Sequence, residues 1–562
     1  MSVVINSDSV LDIEQHFKVA AGPGAGKTHW LVNHIRNTLH KSGRLGKTRK
    51  IACITYTNTA VEAITRRLGP SAIQVEVSTI HAFLYKHVVK PYIMFIDPAY
   101  GLDVSSVDGH DDKIASGYQF LADWKNATKQ TALRDDAAIL EAFKSARWRF
   151  DASGILVVEP DYPRTSSGYS IKKPSYRVYK SMAWQKGIMH HDDVLFFSYD
   201  LIKNNSSIVD ILRAKFPYFF IDEFQDTNPI QVAILKLIGE SDTIVGIIGD
   251  KAQSIYAFQG AKYDTFDSFN LVNMESYTIE DNRRSTDEIV GILNLTRSDI
   301  SQSSIRGASG IAPNVVVAGD FMSGLIKCQV ACGDEELHTL SYANKVANSL
   351  KRSLSPDSFD SKALDELLKK DAPSSANKYR SRIIYNFIVA IELIREQKFA
   401  DAFKALSKIY KKGDADGKKK SLNDLLVLLG RYESFKNDSL YNFYLIIKDE
   451  LFYDVSVLRM GGVKTYYESK VYSDMASCVI ATEENGLCKT IHKAKGDEFD
   501  NVVVIFEKET ELSFFLENNM EREEHRIKYV AISRAKNRLF IITPNLGEKN
   551  KQGLMSLGFA II

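Results

Sequence analysis

Short runs of apolar residues recur along the chain and alternate with stretches that have helical spacing. Most runs are rich in β-branched side chains and are followed by polar residues. Such runs predict strands buried in a parallel sheet, and their alternation with helices predicts an α/β fold. The runs are KIACITYT (50–57), VEVSTI (75–80), YFFI (218–221), TIVGIIGD (243–250), NVVVIF (501–506) and RLFIIT (538–543).

Residues 17–40 predict a strand, a glycine-rich loop and then a helix, because apolar residues recur at helical spacing from Trp30 to Leu39. In the loop, glycines let successive backbone N–H groups surround an anion, a lysine adds a charge for the β- and γ-phosphates, and a threonine offers a hydroxyl to Mg²⁺. Ala21 stands where the general phosphate-loop pattern has its first glycine, and the alternative is a tight turn that binds nothing. The candidate residues are Gly22, Gly24, Gly26, Lys27 and Thr28.

The run YFFI leads directly into the acidic segment DEFQD. Parallel sheets keep their ligand crevice at the carboxyl ends of strands, and buried carboxylates without a cation are costly. Beside a phosphate loop, Asp222 is therefore a candidate Mg²⁺ ligand, and Glu223 is a candidate base that takes the proton from the attacking water. A helix cap or a surface acidic turn is the alternative.

Composition limits the class of protein. The 562 residues predict two to four domains, and the 44% of hydrophobic residues is typical of a globular protein. No apolar run approaches a membrane span, and the first ten residues lack the pattern of a secretory signal, so a cytoplasmic protein is expected. Five scattered cysteines predict reduced thiols rather than disulfides or a metal site.

A formal net charge of +2 gives no signature of nucleic-acid binding over the whole chain. Any such binding must therefore be local. Basic residues are enriched in the stretches 41–50 and 411–420, although runs of this kind are more often solvated loops.

Six polar segments follow apolar runs in a fixed order, and together they carry a family resemblance. They are TYTNTA (55–60), STIHAF (78–83), GDKAQSIYAFQGA (249–261), EDNRRST (280–286), KTIHKAKGDEF (489–499) and YVAISRAK (529–536). With the phosphate loop and DEFQD, this series resembles superfamily 1 DNA helicases of the UvrD/Rep/PcrA type. The resemblance implies two RecA-like motor domains with parallel sheets and mainly helical insertions.

The resemblance also implies roles on the ATP side. Lys27 and Thr28 match the phosphate and Mg²⁺ ligands, and Asp222 and Glu223 match the metal ligand and the general base. The other implied roles are a γ-phosphate sensor (Gln253), a link from the hydrolysis site to DNA (Gln225), two arginines that the second motor domain inserts toward the γ-phosphate (Arg284 and Arg534) and a ribose contact (Glu498).

Three positions on the ATP side depart from the family. The family holds adenine between an arginine and a tyrosine, and this chain has His29 and Arg283 there. Gln15 lies closer to Lys27 than the adenine-reading glutamine of the family usually does.

The implied contacts with single-stranded DNA lie in four of the segments. Aromatic rings are suited to such contacts because every base has a face on which a ring can stack. For each aromatic residue the alternative is core packing, and for Tyr256 the two interpretations stay open. In the segment that ends YAFQGA, the family commonly has tryptophan and arginine where this chain has Phe258 and Gln259. The candidates are Tyr56, Thr57, Asn58, Thr79, His81, Phe83, Tyr256, Phe258, Thr490 and His492.

The spacing of the segments predicts the domain layout. We expect a first motor domain at 1–90 and 190–275 with a 1B-like insertion at 91–189. We expect a second motor domain at 276–375 and 475–562 with a reduced helical 2B-like insertion at 376–474. Within the first insertion, DAAILEAFKSARWRF (136–150) is predicted to be helical.

These patterns predict an ATP-dependent DNA helicase or translocase that uses ATP and Mg²⁺ and moves on single-stranded DNA, in the 3′ to 5′ direction as the resemblance implies. The alternative is a DNA-stimulated ATPase that unwinds little and serves as the regulatory subunit of a multi-protein system, such as the partner of an antiphage nuclease. A plain P-loop phosphotransferase is disfavoured by Arg284 and Arg534.

Overall fold

Parallel strands form the centre of each of the two units into which the chain divides. Unit 1 comprises Met1–Gly310 and Phe514–Ser533, and unit 2 comprises Ile311–Ser513 and Arg534–Ile562. The computed structural model describes residues 2–111, 114–160, 165–166, 169–351, 363–374, 376–396, 398–410, 415–452, 454–479 and 486–562. Residues 411–414 of the basic stretch 411–420 therefore lie outside the described residues.

The strands of unit 1 are β1 (Val3–Ile5), β2 (Phe17–Ala21), β3 (Ile51–Thr55), β4 (Val75–Thr79), β5 (Ala146–Phe150), β6 (Leu156–Pro160), β7 (Thr165–Ser166), β8 (Tyr169–Ser170), β9 (Tyr218–Ile221), β10 (Ile244–Gly249), β11 (Glu275–Ile279), β12 (Asp281–Asn282) and β13 (Ser303–Ser304). The main sheet is parallel and has the order β1-β11-β2-β10-β9-β3-β4. Every residue of β9 is buried, as expected for a central strand covered on both faces.

Unit 2 has its own parallel sheet, with the order β16-β15-β17-β18-β14-β19. Its strands are β14 (Asn314–Val317), β15 (Leu337–Ser341), β16 (Cys488–Thr490), β17 (Phe499–Ile505), β18 (Ala535–Thr543) and β19 (Ala560–Ile561). A separate apolar core lies among the helices between β15 and β16, where Phe387, Ile388 and Tyr472 are fully buried.

The helices of the segment 1–310 are α1 (Lys27–Lys41), α2 (Asn58–Leu68), α3 (Ile80–Leu84), α4 (Lys90–Tyr92), α5 (Tyr118–Ala127), α6 (Asp136–Lys144), α7 (Pro174–Trp184), α8 (Asp193–Asn204), α9 (Ser206–Lys215), α10 (Pro229–Gly239), α11 (Thr265–Ser268) and α12 (Asp287–Leu295). Those of the segment 311–562 are α13 (Phe321–Cys332), α14 (Asn344–Lys351), α15 (Ala363–Lys370), α16 (Arg380–Arg395), α17 (Phe399–Leu406), α18 (Ala415–Gly430), α19 (Tyr432–Phe435), α20 (Leu440–Ile446), α21 (Gly462–Ser469), α22 (Tyr472–Ser477), α23 (Ser513–Leu516), α24 (Glu523–Ile532) and α25 (Glu548–Ser556). Helix α24 belongs to unit 1.

The α/β class and the six predicted strands are confirmed: each apolar run forms a strand of one of the two parallel sheets. Cys53, Cys328 and Cys332 are buried free thiols. Among the described residues, none of the helices combines the length and the apolar character that crossing a membrane requires.

Two expectations differ from the structure. The helix predicted over 136–150 ends at Lys144, and Ala146–Phe150 forms β5, which pairs with β6 in an antiparallel hairpin. The aromatic residues Trp148 and Phe150 favour a strand at this position. The boundary expected after residue 275 falls at the first residue of β11, a strand of the first sheet, and unit 1 continues to Gly310.

Candidate functional site

The phosphate loop joins β2 to α1 at the carboxyl edge of the first sheet. Gly24 and Gly26 have φ angles of 72° and 82°, in the left-handed region that favours glycine. The Lys27 ammonium folds back over the loop and donates to the carbonyl oxygens of Ala21 at 3.1 Å and Gly22 at 3.4 Å. Thr28 follows as the second residue of α1. Local structure therefore gives the loop its shape, and binding of an anion there stays a prediction.

The acidic pair lies at the end of β9, in the same sheet. Asp222 is buried, and its backbone N–H donates to the carbonyl oxygen of Ile54 in the neighbouring strand β3, at 2.8 Å. Burial and the adjacent charge of Glu223 raise the pKa of the Asp222 carboxyl to about 7, and Lys27 opposes the shift. Glu223 itself has a left-handed backbone with φ of 53°, a conformation that is uncommon for glutamate and is often found at functional sites. The pair thus carries negative charge that a hard cation with oxygen ligands would balance, and these residues fit Mg²⁺.

Gln225 bridges the acidic pair and the loop that follows β10. Its side-chain amide donates to the Glu223 carboxylate, and its side-chain oxygen accepts from the backbone N–H of Asp250 at 3.0 Å. The backbone carbonyl of Gln225 accepts from the hydroxyl of Ser254 at 3.1 Å. The resemblance implies that Gln225 links the hydrolysis site to DNA, and in the structure Gln225 makes three polar contacts, with Glu223, Asp250 and Ser254.

A buried ion-pair network positions Gln253. The Gln253 amide donates to the Asp250 carboxylate at 2.7 Å, and Arg297 pairs with the same carboxylate at 2.9 Å. Arg297 also binds Asp299 at 2.8 Å and donates to the hydroxyl of Tyr529 at 2.9 Å. Asp250 and Arg297 are fully buried side chains. The network ties the loop after β10 to α24 and to the segment after α12, and no local motif signals it.

Residues 282–284 pack directly on the phosphate loop. The side chain of Asn282 donates to the carbonyl oxygen of Pro23 at 3.1 Å, and the backbone N–H of Arg283 donates to that of Gly24 at 2.9 Å. A Cβ added at Gly24 would lie 2.7 Å from the Cβ of Arg284, so the close approach requires glycine. Gln302 donates to Pro23 as well, at 3.0 Å. Arg284 therefore belongs to unit 1 together with the phosphate loop, whereas the resemblance implies a position in the second motor domain.

His29 and Arg283, the expected adenine neighbours, both contact the carboxylate of Asp8. The His29 Nε2 atom lies 3.1 Å from one oxygen of Asp8, and an Arg283 nitrogen lies 3.3 Å from the other. All three side chains are largely exposed. Strand β1 delivers Asp8 to this edge, because β1 runs parallel to β11. Gln15 instead contacts the carbonyl oxygen of Asn273 at 3.3 Å, before the start of β2 and hence at the opposite edge of the sheet.

Three aromatic residues of unit 1 form a cluster beside the loop after β10. The Tyr56 and Tyr256 rings stack with centroids 4.8 Å apart, and Phe258 meets Tyr256 edge-on at 5.7 Å. The Tyr56 hydroxyl donates to the side chain of Gln259. Phe258 is 56% exposed and is the cluster's outer member. We call these three rings the aromatic cluster.

The other DNA-side candidates of unit 1 have mixed surroundings. Thr57 and Thr79 cap α2 and α3 by accepting from backbone N–H groups, and Asn58 is the first residue of α2. The His81 ring stacks on His191 at 4.0 Å, and its surroundings lower its pKa to about 3 through burial and two histidine neighbours. Phe83 is fully buried, so its ring belongs to the core and offers no face to a base.

The remaining candidates lie in unit 2. The Arg534 guanidinium donates to the carbonyl oxygen of Asp497 at 3.1 Å, and Glu498 pairs with Lys536 at 3.1 Å. Thr490 is buried at the end of β16, and the ring of His492 lies 6.1 Å from that of Tyr342. Their roles stay predictions.

Comparisons with known proteins point to a family of helicases. A family model described as the UvrD/REP helicase N-terminal domain matches residues 5–271, and one described as the UvrD-like helicase C-terminal domain matches residues 397–545. A probable DNA helicase II homolog of Mycoplasma capricolum is 26% identical over 51% of this chain and 39% of its own length. A probable DNA helicase II homolog of Rickettsia conorii is 22% identical over 95% of this chain and 91% of its own length.

A third relative is the Gabija protein GajB of Bacillus cereus, which is 25% identical over 58% of this chain and 54% of its own length. The chain thus spans less than half of the Mycoplasma relative and about half of the Gabija protein. The two family models together cover most of the chain. The first includes the phosphate loop and the acidic pair, and the second includes the segments 489–499 and 529–536. The chain belongs to the UvrD-like helicase family.

Proposed function

We propose that this chain is an ATP-dependent DNA helicase or translocase that hydrolyses ATP while it moves on single-stranded DNA, in the 3′ to 5′ direction. The observation that carries the proposal is the continuous set of contacts at one sheet edge. Gln225 contacts the carboxylate of Glu223 and the loop after β10, and that loop also bears Tyr256 and Phe258 of the aromatic cluster.

For ATP, the glycine loop and Lys27 would bind the β- and γ-phosphates, and Thr28 and Asp222 would hold Mg²⁺. The cation supplies positive charge that balances the phosphate oxygens and the buried carboxylate. His29 and Arg283 would flank the base, with Asp8 as their shared partner. A helicase of this kind needs cellular ATP and DNA, and we therefore propose a cytoplasmic location for the protein.

For hydrolysis, Glu223 would take the proton from the attacking water, and Arg284 would stabilise charge on the transferring phosphoryl group. The hydrogen bond from Gln253 to Asp250 fixes the orientation of the Gln253 side chain in this site. Because Arg297 binds the same carboxylate of Asp250, the γ-phosphate sensor would act as part of a rigid network rather than as a mobile side chain.

For DNA, the exposed ring of Phe258 offers a stacking face, and Tyr256 contacts this ring edge-on. Phe258 lies in the loop after β10, and the same loop contains Asp250 and Ser254, the partners of Gln225. This provides a physical route by which strand binding could change the position of the Glu223 carboxylate.

The test is ATP hydrolysis by the purified chain with and without single-stranded DNA, followed by strand displacement on duplexes with a 3′ or a 5′ tail. We expect stimulation by the strand and displacement from the 3′ tail. Glu223→Gln should bind ATP and fail in both assays. Equal hydrolysis with and without DNA, or displacement from the 5′ tail alone, would contradict the proposal.

A second candidate is a DNA-stimulated ATPase that acts as the regulatory subunit of a multi-protein system with a nuclease partner, as in antiphage defence. Gln259 favours it, because the Tyr56 hydroxyl engages this neutral side chain where the family commonly has an arginine. The likeness to a Gabija protein also favours it. Strand-stimulated hydrolysis without strand displacement would select this candidate.

A further inference from the structure

A pocket with three positively charged side chains lies in the helical part of unit 2. It has a volume of about 170 Å³, and its lining residues are Lys378, Tyr379, Arg382, Ile383, Lys408 and Ile409. These residues come from the start of α16 and from the segment after α17. We call this the basic pocket. It lies outside the chemistry assigned to the ATP site and to the aromatic cluster.

The charges of the basic pocket are little neutralised by the described residues. Neither Arg382 nor Lys408 has an ion-pair partner among the residues that the structure describes. Lys378 has a distant contact of 3.9 Å with Asp454, and both side chains are exposed, so this pair is weak. The nearby carboxylate of Asp371 is engaged elsewhere, because Arg380 binds it through two nitrogens, at 2.7 and 2.8 Å.

The turn before α16 presents Tyr379 at the basic pocket. Lys378 and Tyr379 have φ angles of 50° and 54°, so two consecutive residues adopt the left-handed conformation. The side-chain oxygen of Asn377 holds the turn by accepting from the backbone N–H groups of Ser374 at 3.0 Å and Tyr379 at 3.1 Å. Tyr379 is 50% exposed, and no ring or cation contact covers it within the described part of the chain.

Three cations beside one exposed aromatic ring match the chemistry of a nucleotide. The guanidinium and ammonium groups would bind a phosphate, and the ring would stack on a base. We infer that the basic pocket binds the phosphate and base of a nucleotide, either as a free mononucleotide or within a single strand. The inference does not rest on the proposed ATPase.

Charge-removing variants test the phosphate contact. Arg382→Gln combined with Lys408→Gln removes two pocket cations, and Lys369→Gln combined with Lys404→Gln removes two exposed cations elsewhere in the same helical part. Binding of a labelled single-stranded oligonucleotide is measured by fluorescence anisotropy at several salt concentrations without ATP. We expect only the pocket variant to lose affinity, with a log–log salt slope shallower by about 1.4, since each phosphate contact contributes about 0.7.

Variants of the ring test the base contact. Tyr379→Asn removes the ring but keeps a residue that tolerates positive φ, and Tyr379→Phe keeps the ring as a matched control. We expect the asparagine variant to bind the strand roughly five- to a hundred-fold more weakly with an unchanged salt slope, because a stack releases no counterions. The phenylalanine variant should bind as the wild type does.

Titration calorimetry with AMP distinguishes the two sources of the nucleotide. If the pocket variant binds the strand normally but loses AMP binding, the ligand is a free mononucleotide and the inference stands. If strand and AMP binding are both unchanged in the pocket and ring variants, the inference is overturned. ATP hydrolysis and strand binding by the wild type are measured in parallel. If the proposed function is wrong, the wild type itself lacks strand-stimulated hydrolysis. If the inference about the basic pocket is wrong, the pocket and ring variants bind both ligands as the wild type does.

Discussion

Replacing Glu223 with glutamine should abolish ATP turnover and at the same time stabilise the ligand-free protein at alkaline pH. Glu223 lies beside the buried Asp222, and together burial and this neighbouring charge raise the pKa of Asp222 from 3.8 to about 7. A raised carboxyl pKa is a cost to the folded state, because the ionised group is more stable in the unfolded chain.

The sign and size of this cost follow from linkage. Between about pH 4 and pH 7 the folded protein binds a proton that the unfolded chain has released, so this group lowers the free energy of unfolding as the pH rises. The full difference corresponds to roughly 4 kcal/mol, at about 1.4 kcal/mol for each unit of pKa. Burial is the larger cause and Glu223 the smaller, so removing the charge of Glu223 should restore about 1 kcal/mol above pH 7.

The assay is thermal unfolding of the ligand-free protein at pH 8 and at pH 5, with phosphate release measured separately. We expect Glu223→Gln to melt about 2 °C higher than the wild type at pH 8 and to match it at pH 5, where Asp222 is already neutral. Glu240→Gln, which removes an exposed carboxylate of the same unit, should change neither value. A variant that is less stable at pH 8, or one shifted equally at both pH values, would refute this reasoning, and normal phosphate release would refute the assignment of the base.

Three further predictions concern the buried network around Asp250, the role of Arg284 and the aromatic cluster. Arg297→Met should lower the free energy of unfolding by roughly 3–5 kcal/mol in a denaturant titration, because it leaves the carboxylate of Asp250 buried and unpaired; a change below about 1 kcal/mol would contradict the buried pair. Arg284→Ala should reduce kcat by at least ~100-fold and change KM for ATP only a few-fold in steady-state assays, since an arginine finger acts on the transition state; a collapse of ATP affinity with normal kcat would make it a binding residue. Phe258→Ala should weaken strand binding by roughly 1–3 kcal/mol without altering its salt dependence, whereas Gln259→Arg should steepen the log–log slope by about 0.7, both measured by anisotropy; unchanged affinity and slope in both variants would remove this loop from the DNA path.

Local patterns were sufficient for the elements that carry the ATP site. The phosphate loop needs only a strand, glycines at positive φ and a helix that begins at Lys27, and all of these are encoded within a few adjacent residues. The run YFFI and the acidic pair after it are also adjacent in sequence. A strand that is buried along its whole length is recognisable in the sequence as an uninterrupted apolar run. The same reasoning explains why the α/β class could be predicted from the runs alone.

Burial of single aromatic residues could not be predicted in this way. Phe83 and Phe258 both follow strands in similar polar segments, yet Phe83 is enclosed by Phe216 and Phe219 while Phe258 is 56% exposed. The difference depends on which distant elements pack against each ring. The segment ARWRF shows the same limit, because its strand exists through pairing with β6.

The tertiary structure alone decided the contacts that join distant segments into one site. Asp8 meets His29 and Arg283 because β1 and β11 are neighbours in the sheet, although they are far apart in the chain. Arg297 reaches Asp250 through the packing of the segment after α12. Motifs record which chemistry a short stretch can perform, whereas the partner of a side chain depends on strand order and register, and these are set by burial of the whole sheet rather than by any one stretch.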